Sequence, residues 1–323
     1  MSNKTLFMEI SIVIVNYNGK SLLKASIGSL NKSAMIENCE IIVVDNNSND
    51  GSVEYLKRTY KQVKIVENKE NLGYSGINSA LPYCRGRYIL FLNNDIHVDK
   101  NCIKKLLDAI KNDEKVGMAA PKLINYYNKK MASGGTWLSR SFYNGHFSGN
   151  DKMIEVPYLG VGMVRKDLIL KLGHIFDPDY FIYGEDVDLG LSLRLMGYKV
   201  IFVPEAVIYH MHAMTTRSFE KGRTTFLMER NMLTTFFKTM PLKNIIAFLP
   251  YVFFMRLAAL FTDIISLRFS NALSRIDAIL WIIFNSNVIY EKRKKTQKLK
   301  AADDKFLSQI FSEKYLFKKK VIV

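Results

Sequence analysis

An apolar, β-prone run ends abruptly in three polar residues, Asn93-Asn94-Asp95. A continuous run such as residues 88–92 is typical of a strand buried on both faces of a parallel sheet. Ligands of open α/β sheets lie beyond the carboxyl ends of the strands, so Asp95 is expected at that edge. There its carboxylate could hold a divalent cation together with a diphosphate. The alternative is a plain turn, because Asn and Asp also favour turns.

Polar loops also follow three earlier β-prone runs, at residues 10–15, 40–44 and 63–66. Helical patterns alternate with these runs at ~30-residue spacing, which predicts βαβ units and a mostly parallel sheet. The residues that we single out after the runs are Asn16, Tyr17, Asn18, Asp45, Asn71, Gly73 and Asn78. Because parallel strands end at one edge, these residues are expected to lie together.

The chemistry of these loops suits a nucleotide. Asp45 could accept a hydrogen bond from a nucleobase imide or a ribose hydroxyl, and a base could stack on the ring of Tyr17. Residues 73–76 include two glycines, which allow a ligand to approach the backbone closely. Turn chemistry explains any single loop, but four loops at one edge favour a ligand site. A dinucleotide-binding Rossmann site is disfavoured, because no G-x-G-x-x-G follows the first run.

Three carboxylates crowd the start of a helix predicted at residues 186–196, namely Glu185, Asp186 and Asp188. One interpretation is electrostatic, because acids stabilise a helix N-terminus. The other is catalytic, in which one carboxylate acts as the general base that takes a proton from an acceptor hydroxyl.

Four motifs occur in the order and spacing of one known family. They are Ser11-Ile-Val-Ile-Val-Asn-Tyr-Asn-Gly19, Val43-Val-Asp-Asn-Asn-Ser-Asn-Asp-Gly-Ser52, Asn71-Leu-Gly-Tyr74 and Leu92-Asn-Asn-Asp95. On these motifs the chain resembles the family 2 glycosyltransferases with the GT-A fold, most closely the rhamnosyltransferase-like branch. The resemblance runs from about residue 8 to about residue 235.

The resemblance implies roles for individual residues. Asp45 would bind the nucleobase, and Asp95 would be the metal-binding aspartate of a D-x-D-type motif in which Asn93 replaces a carboxylate. His210 matches the position of a metal-binding histidine, with His212 as the second choice. The donor site would comprise Asn16, Tyr17, Asn18, Asp45, Asn71, Gly73, Asn78, Asn94 and Asp95.

The resemblance also favours the catalytic interpretation of the acidic cluster, with Asp186 as the base, Glu185 as second choice and Asp188 as a structural cap. An inverting sugar transfer needs such a base opposite the leaving diphosphate. A cation from Arg217, Lys221, Arg223 or Arg230 would neutralise that diphosphate.

Two segments keep alternative interpretations. Residues 125–155 are rich in Gly, Asn, Ser and Tyr and form either a mobile lid or a plain surface excursion. Gly160 and Gly162 either line a sugar pocket or mark a bulge in a strand.

The net charge of +16 among 323 residues predicts an anionic partner. The positive charge accompanies apolar helices near the C-terminus. Residues 244–267 are apolar but interrupted by Pro250, Arg256 and Asp263, which favours an interfacial helix over a simple span. A second apolar stretch follows at 276–290, with basic clusters at 291–295 and 318–320. These features predict association with an anionic membrane, and a dimerisation module is the alternative. Three widely spaced cysteines indicate a reducing, cytoplasmic location.

The sequence thus predicts an α/β domain at 1–240, with a nucleotide-sugar half at about 1–100 and an acceptor half at 101–240, followed by a helical region at 241–323. The predicted function is inverting, Mn²⁺- or Mg²⁺-assisted transfer of a sugar from a UDP- or dTDP-sugar to a glycan or lipid-linked acceptor. The predicted location is the cytoplasmic face of the membrane. The alternatives are a sugar-1-phosphate nucleotidyltransferase and a basic nucleic-acid-binding protein, although no nucleic-acid-binding motif is present.

Overall fold

The computed structural model describes residues 8–147, 152–211 and 220–313. The first half alternates strands and helices as predicted. Its elements are β1 (Ile10–Asn16), α1 (Lys20–Leu30), a 3₁₀ turn (Ile36–Asn38), β2 (Cys39–Asp45), α2 (Ser52–Thr59), β3 (Lys64–Glu67), a 3₁₀ segment (Gly73–Tyr83) and β4 (Tyr88–Asn93). The helix expected around Asn78 is a run of 3₁₀ turns that contains Pro82. Pro has no N–H to donate, which disfavours a regular α-helix there.

The second half adds shorter strands. Its elements are β5 (Ile96–Val98), α3 (Cys102–Lys111), β6 (Val116–Asn125), β7 (Met131–Ser133), β8 (Thr136–Leu138), β9 (Asn144–His146), β10 (Ile154–Val156), β11 (Gly162–Arg165), α4 (Lys166–Leu172), α5 (Glu185–Leu195) and β12 (Lys199–His210). Strand β12 is one long strand whose pairing with β6 shifts register between Val203 and Val207. The C-terminal helices are α6 (Arg223–Thr239), α7 (Leu242–Ile265), α8 (Phe269–Phe284), α9 (Ser286–Gln297) and α10 (Asp304–Ser308).

One large sheet has the strand order β10-β12-β6-β11-β4-β1-β2-β3. Strands β3, β2, β1 and β4 are parallel, so the loops after β1, β2 and β4 meet at one edge. Strand β11 runs antiparallel to β4 and β6, and β6 is parallel to β12. Strand β5 pairs with the end of β12 and sets Ile96 opposite His210. The sheet therefore brings the end of β12 to the loop that contains Asp95.

The sheet separates two hydrophobic clusters, and the side chains of β1 alternate between them. Ile12 and Ile14 pack in the cluster with α1 and α3, whereas Val13 packs in the cluster with α4 and α5. Both faces are thus covered, which is why the strands read as continuous apolar runs.

The described part of residues 125–155 is not the plain surface excursion that one interpretation predicted. Trp137 is only 5% exposed, Phe142 only 1%, and Ser139 and Ser141 are buried. The ring of Phe142 lies 4.9 Å from that of Phe236 in α6. The scattered aromatics therefore form a core between the large sheet and the C-terminal helices.

Candidate active site

The loops after β1 and β2 are held together through the carboxylate of Asp45. Asn16 Nδ2 donates to Asp45 Oδ1 at 2.8 Å, and the backbone N–H of Ser48 donates to Oδ2 at 2.8 Å. The hydroxyl of Ser48 adds a third bond at 2.7 Å, and Asn94 Nδ2 donates to Asn16 Oδ1 at 2.8 Å. Asp45 is therefore buried with three protein donors, and its contact with a nucleobase stays a prediction.

Tyr17 and Asn18 form the rim of this network. Tyr17 is half-buried, whereas Asn18 is exposed and has a left-handed backbone with φ of 48°. The backbone N–H of Asn18 donates to the hydroxyl of Ser48 at 2.9 Å, and Asn18 Oδ1 accepts from the N–H of Asn49 at 2.9 Å. A stacking role for the Tyr17 ring remains compatible with its position.

Asn71, Gly73 and Asn78 connect the donor side to the segment before α5. Asn71 Oδ1 accepts from the N–H of Gly73 at 2.9 Å, and Gly73 has φ of 64°. A Cβ on Gly73 would overlap the backbone carbonyl of Phe181. Asn78 Nδ2 donates to the carbonyl of Phe176 at 2.7 Å, and its Oδ1 accepts from the same residue's N–H at 3.1 Å. Asn78 thus positions this segment, and its contact with the donor stays a prediction.

Asp95 and His210 converge although they are far apart in the sequence. His210 Nε2 lies 3.1 Å from Asp95 Oδ1, and the N–H of Met211 donates to the carbonyl of Asp95 at 2.9 Å. A carboxylate oxygen and an imidazole nitrogen are suitable ligands for Mn²⁺. The residues present therefore fit the predicted metal site. His212, the second choice, lies outside the described residues.

Glu185 and Asp186 begin α5 directly after Gly184, whose φ is 81°. Burial raises the pKa of Glu185 to about 8, and the Asp186 carboxylate adds to that rise. Burial also raises the pKa of Asp186 to about 6. Oε2 of Glu185 is buried without a hydrogen-bond partner, whereas Asp186 is half-buried and its Oδ1 accepts the N–H of Val187 at 2.8 Å. At neutral pH these environments favour an ionised Asp186 beside a protonated Glu185.

The buried hydroxyl of Tyr74 senses the charges of both acidic sites. Tyr74 was quoted in a motif but was not predicted as a site residue. Burial raises its pKa well above the usual value, and the charges of Glu185, Asp186 and Asp95 raise it further. Its hydroxyl donates to the carbonyl of Gly160 at 3.2 Å. The sequence signal that could have identified Tyr74 is its position directly after Gly73, whose positive φ makes glycine the favoured residue in this turn.

Only one of the two predicted pocket glycines borders the acidic site. A Cβ on Gly160 would lie 3.5 Å from Asp186 Oδ2. Gly162 instead lies in β11, where a Cβ would meet Met118 and the carbonyl of Ala119. Gly162 therefore serves packing within the sheet.

A second group of potential metal ligands lies behind α5 and comprises His174, Asp177 and Asp188. Lys238 Nζ is 2.8 Å from Asp177 Oδ2 and 2.7 Å from Asp188 Oδ2, and Lys292 also pairs with Asp177. Ammonium groups already neutralise these carboxylates, so we assign the group a structural role. Asp188 was predicted as a helix cap, but α5 has no side-chain cap hydrogen bond, and Asp188 is instead the buried ion-pair partner of Lys238.

The predicted phosphate-binding cations are only partly described. The guanidinium of Arg223 stacks 5.8 Å from the ring centroid of Phe181, and Lys221 is exposed. Arg230 Nη2 donates to the carbonyl of Asp179 at 2.9 Å. Arg217 lies outside the described residues. The choice among these cations stays open.

Comparison with known proteins shows which family and which relatives the sequence resembles. Residues 11–168 match the family model described as Glycosyl transferase family 2. The chain is 31% identical over 241 residues to the uncharacterised glycosyltransferase YfnE of Bacillus subtilis, an alignment that covers 59% of this chain and 61% of YfnE. It is 24% identical to the N-acetylglucosaminyl-diphospho-decaprenol L-rhamnosyltransferase of Mycobacterium tuberculosis, covering 64% of this chain and 76% of that protein. The chain thus spans less than two thirds of the length of YfnE.

A solved structure shares the fold. The crystal structure of GalNAc-T7 with UDP, GalNAc and Mn²⁺ superposes with a TM-score of 0.60 at 18% identity, covering 72% of this chain and 48% of that one. Such low identity supports the fold alone. Taken with the family match and the order of the strands, it leads to one conclusion: residues 11–168 are similar to the family 2 glycosyltransferases, and the chain has the GT-A fold.

Proposed function

We propose that the chain is an inverting, metal-assisted glycosyltransferase that uses Asp186 as its general base. The observation that carries the proposal is the hydroxyl of Tyr74, which donates to the carbonyl of Gly160 beside Asp186 and whose pKa is raised by the charges of both Asp186 and Asp95. This supports a donor diphosphate site at Asp95 that is close to an acceptor site at Asp186. The predicted donor is a UDP- or dTDP-sugar, and the predicted acceptor is a glycan or a lipid-linked glycan.

In this proposal the proton moves from the acceptor hydroxyl to a carboxylate oxygen of Asp186. The acceptor oxygen then forms a bond to the anomeric carbon, and the bond from that carbon to the diphosphate oxygen breaks with its electron pair leaving on the diphosphate. A pKa of about 6 keeps Asp186 ionised at neutral pH while leaving it basic enough to accept the proton. Protonated Glu185 avoids a second charge beside it.

Asp95 and His210 would hold a divalent cation, Mn²⁺ or Mg²⁺, whose charge would stabilise the leaving diphosphate. The pairing of β5 with β12 sets His210 at the end of β12 beside the two-residue turn that contains Asp95. Asn94 and Asn16 connect this site to the buried carboxylate of Asp45. The donor would therefore lie along the edge from Asp45 to Asp95.

The relatives support sugar transfer over the other functions that we considered. A sugar-1-phosphate nucleotidyltransferase would need a triphosphate-binding loop after β1. The loop present there is tied down by Ser48 and Asp50, which accept hydrogen bonds from the N–H groups of Asn18 and Lys20 at 2.9 Å each. The nucleic-acid-binding alternative rested on the net charge alone. The family match gives that alternative no further support.

Ligand-dependent thermal stability tests the donor site. The purified chain would be heated with UDP, dTDP, GDP or CMP, each with Mn²⁺, Mg²⁺ or EDTA. A nucleotide that binds only the native state at a hundredfold excess over Kd stabilises it by about 2.7 kcal/mol. We expect UDP or dTDP to raise Tm only with metal, and an Asp95→Asn variant to lose that response. No response of the folded chain to any nucleotide would contradict the donor site.

Single-turnover transfer assays test the base. Loss of a general base typically lowers the rate by about 10²–10⁴-fold, so we expect that loss in Asp186→Asn. Glu185→Gln should retain most of the activity, because Glu185 is already uncharged at neutral pH. Asp108→Asn, in an exposed pair with Lys104, is the matched control and should behave like the wild type. Equal activity of Asp186→Asn and the control would overturn the assignment.

A further inference from the structure

The outer surface of α7 and α8 is apolar along most of its length. Large side chains are exposed there by 55–80%, among them Ile246, Phe253, Phe254, Phe261, Ile265 and Phe284. Elsewhere in the described chain such side chains are scattered, as at Leu170, and single exposed apolar residues are normal on soluble proteins. A contiguous face of this size marks an interaction surface.

Two of the three charged residues of α7 are buried, whereas Lys243 in the first turn is exposed. Arg256 is 4% exposed and Asp263 is 2% exposed. Arg256 Nε lies 3.1 Å from Glu229 Oε2 in α6, and Asp263 Oδ2 lies 2.7 Å from Arg275 Nε in α8. Arg275 also pairs with Glu229. The helix thus has its polar face inside the protein and its apolar face outside.

These ion pairs decide whether α7 crosses a bilayer or lies on its surface. By length and composition α7 could cross a bilayer, and so could the bent pair of α8 and α9, which turns by 69°. However, Arg256 Nη1 also donates to the carbonyl of Ser141 at 2.6 Å, so α7 is attached to the loop between β8 and β9 as well as to α6. Moving α7 away into a spanning position would leave buried charges without partners. The geometry therefore favours a helix that stays against the domain.

Charge identifies the partner. Residues 241–323 contain fifteen Lys and Arg against six Asp and Glu, which is more than half of the net charge of the chain. A second copy of the same basic region would repel this one, whereas anionic lipid attracts it by about 1 kcal/mol for each cation near the surface. We propose that the outer face of α7 and α8 inserts into one leaflet of an anionic bilayer and lies parallel to its plane. This proposal does not depend on the proposed reaction.

Vesicle flotation tests the partner. The full chain would be mixed with phosphatidylcholine vesicles that contain or lack phosphatidylglycerol. We expect the wild type to float with the anionic vesicles only. Phe253→Glu combined with Phe261→Glu should weaken binding on the order of a hundredfold, because two rings that would insert into the lipid become charged. Leu170→Glu, which changes an exposed residue on α4, is the control and should bind like the wild type.

Two further measurements remove the alternatives. The double variant should unfold at the temperature of the wild type, since both residues are exposed, so lost flotation does not report misfolding. Light scattering without lipid should give a monomer. Wild-type protein that is dimeric and does not float, or a folded double variant that floats fully, would overturn the proposal.

Cysteine labelling tests the in-plane arrangement. Lys243→Cys and Ser266→Cys place one thiol at each end of α7, and the native Cys39, Cys84 and Cys102 are buried. In spheroplasts of a bacterial host, an impermeant maleimide should label neither variant until the membrane is opened with detergent. Labelling of one end in intact spheroplasts would show a spanning helix and would overturn the proposal.

Discussion

Glu185 and Asp186 are adjacent in the sequence but have different surroundings. Glu185 is buried with an unpartnered oxygen, whereas Asp186 is half-buried beside Gly160. Two carboxylates this close titrate as a coupled pair, so the first proton to leave and the second belong to the pair as a whole. We nevertheless propose different tasks for them, because Asp186 is the less buried of the two and the proposed base must reach an acceptor.

The pH dependence of transfer should report Asp186. A base must be deprotonated, so we expect kcat/KM to rise with pH and to level off above an apparent pKa of about 6. Glu185→Gln should keep this acidic limb, since Glu185 is protonated throughout that range. An acidic limb near pH 4, the range of an ordinary carboxyl group, would contradict the role of burial.

Gly73 should tolerate no side chain. Gly73 and Gly173 both have a positive φ, 64° and 83°, so alanine pays the same backbone strain of about 1 kcal/mol at either position. Only at Gly73 would the new Cβ overlap the carbonyl of Phe181, since nothing lies within 4 Å at Gly173. We expect Gly73→Ala to lower the free energy of urea unfolding clearly more than Gly173→Ala. Equal losses would show that the turn can move.

The residues that sequence could predict are those with an unusual type at a strand end. Asp95 stands out because a carboxylate follows a fully apolar strand, and His210 was found only through the family resemblance. Tyr74 was missed because one aromatic residue in a loop does not reveal which charges will surround it. The pocket role considered for Gly162 fails because a glycine within a strand can equally serve sheet packing.

Helices α5 and α6 are joined by a buried ammonium group. Lys238 of α6 is 2% exposed and reaches Asp188 of α5, while Asp177 binds both Lys238 and Lys292 of α9. These opposite charges hold the pKa of Asp177 well below its usual range against the effect of burial. Helix α5, which contains Asp186, is therefore held by α6, and the segment before α5 is held by α6 and α9.

Removal of this ammonium group should be strongly destabilising. Breaking a buried ion pair by deleting one partner costs about 3–5 kcal/mol, so we expect a loss of that order in Lys238→Met. Lys300→Met removes a partly exposed pair with Asp304 and should cost no more than about 1 kcal/mol. Urea denaturation compares the two variants. Equal stability would mean that the buried carboxylates find other partners.

At the level of elements, the alternation of strand and helix was predictable. Both faces of the sheet are covered, so its strands are continuous apolar runs that stand out in the sequence. The 3₁₀ segment was predicted as an ordinary helix, since its apolar spacing resembles one and Pro82 lies near its end. The strands between residues 131 and 156 were missed for a different reason. They are three residues each, and pairing partners rather than local propensity determine them.

In the whole molecule, the C-terminal helices share a core with β8 and the loop that follows it. Leu138 and Phe142 pack in one hydrophobic cluster with Phe236, Ile245 and Val252. The sequence separated these regions by composition, whereas packing joins them.

A truncated chain tests this integration. A chain that ends after Met240 would expose Leu138, Phe142 and Phe236, each at most 1% exposed in the structure, and should aggregate or lose cooperative unfolding. A chain that ends after Glu313 keeps every contact described above and is the control, which should retain cooperative unfolding. Circular dichroism during heating distinguishes the cases. Cooperative unfolding of the shorter chain would show that the first 240 residues fold alone.

The position of β12 between β6 and β10, with β5 paired to its end, has a kinetic consequence. Strands β1 to β4 form from neighbouring segments, but β5 must wait for β12, which is synthesised much later. Contacts of high sequence separation form slowly because the intervening chain must first be ordered. A nascent chain can thus form the loops after β1 and β2 while it still lacks His210, which pairs with Asp95. Metal-dependent binding would then appear only as the sheet closes, and nucleotide binding would serve as a reporter of late folding.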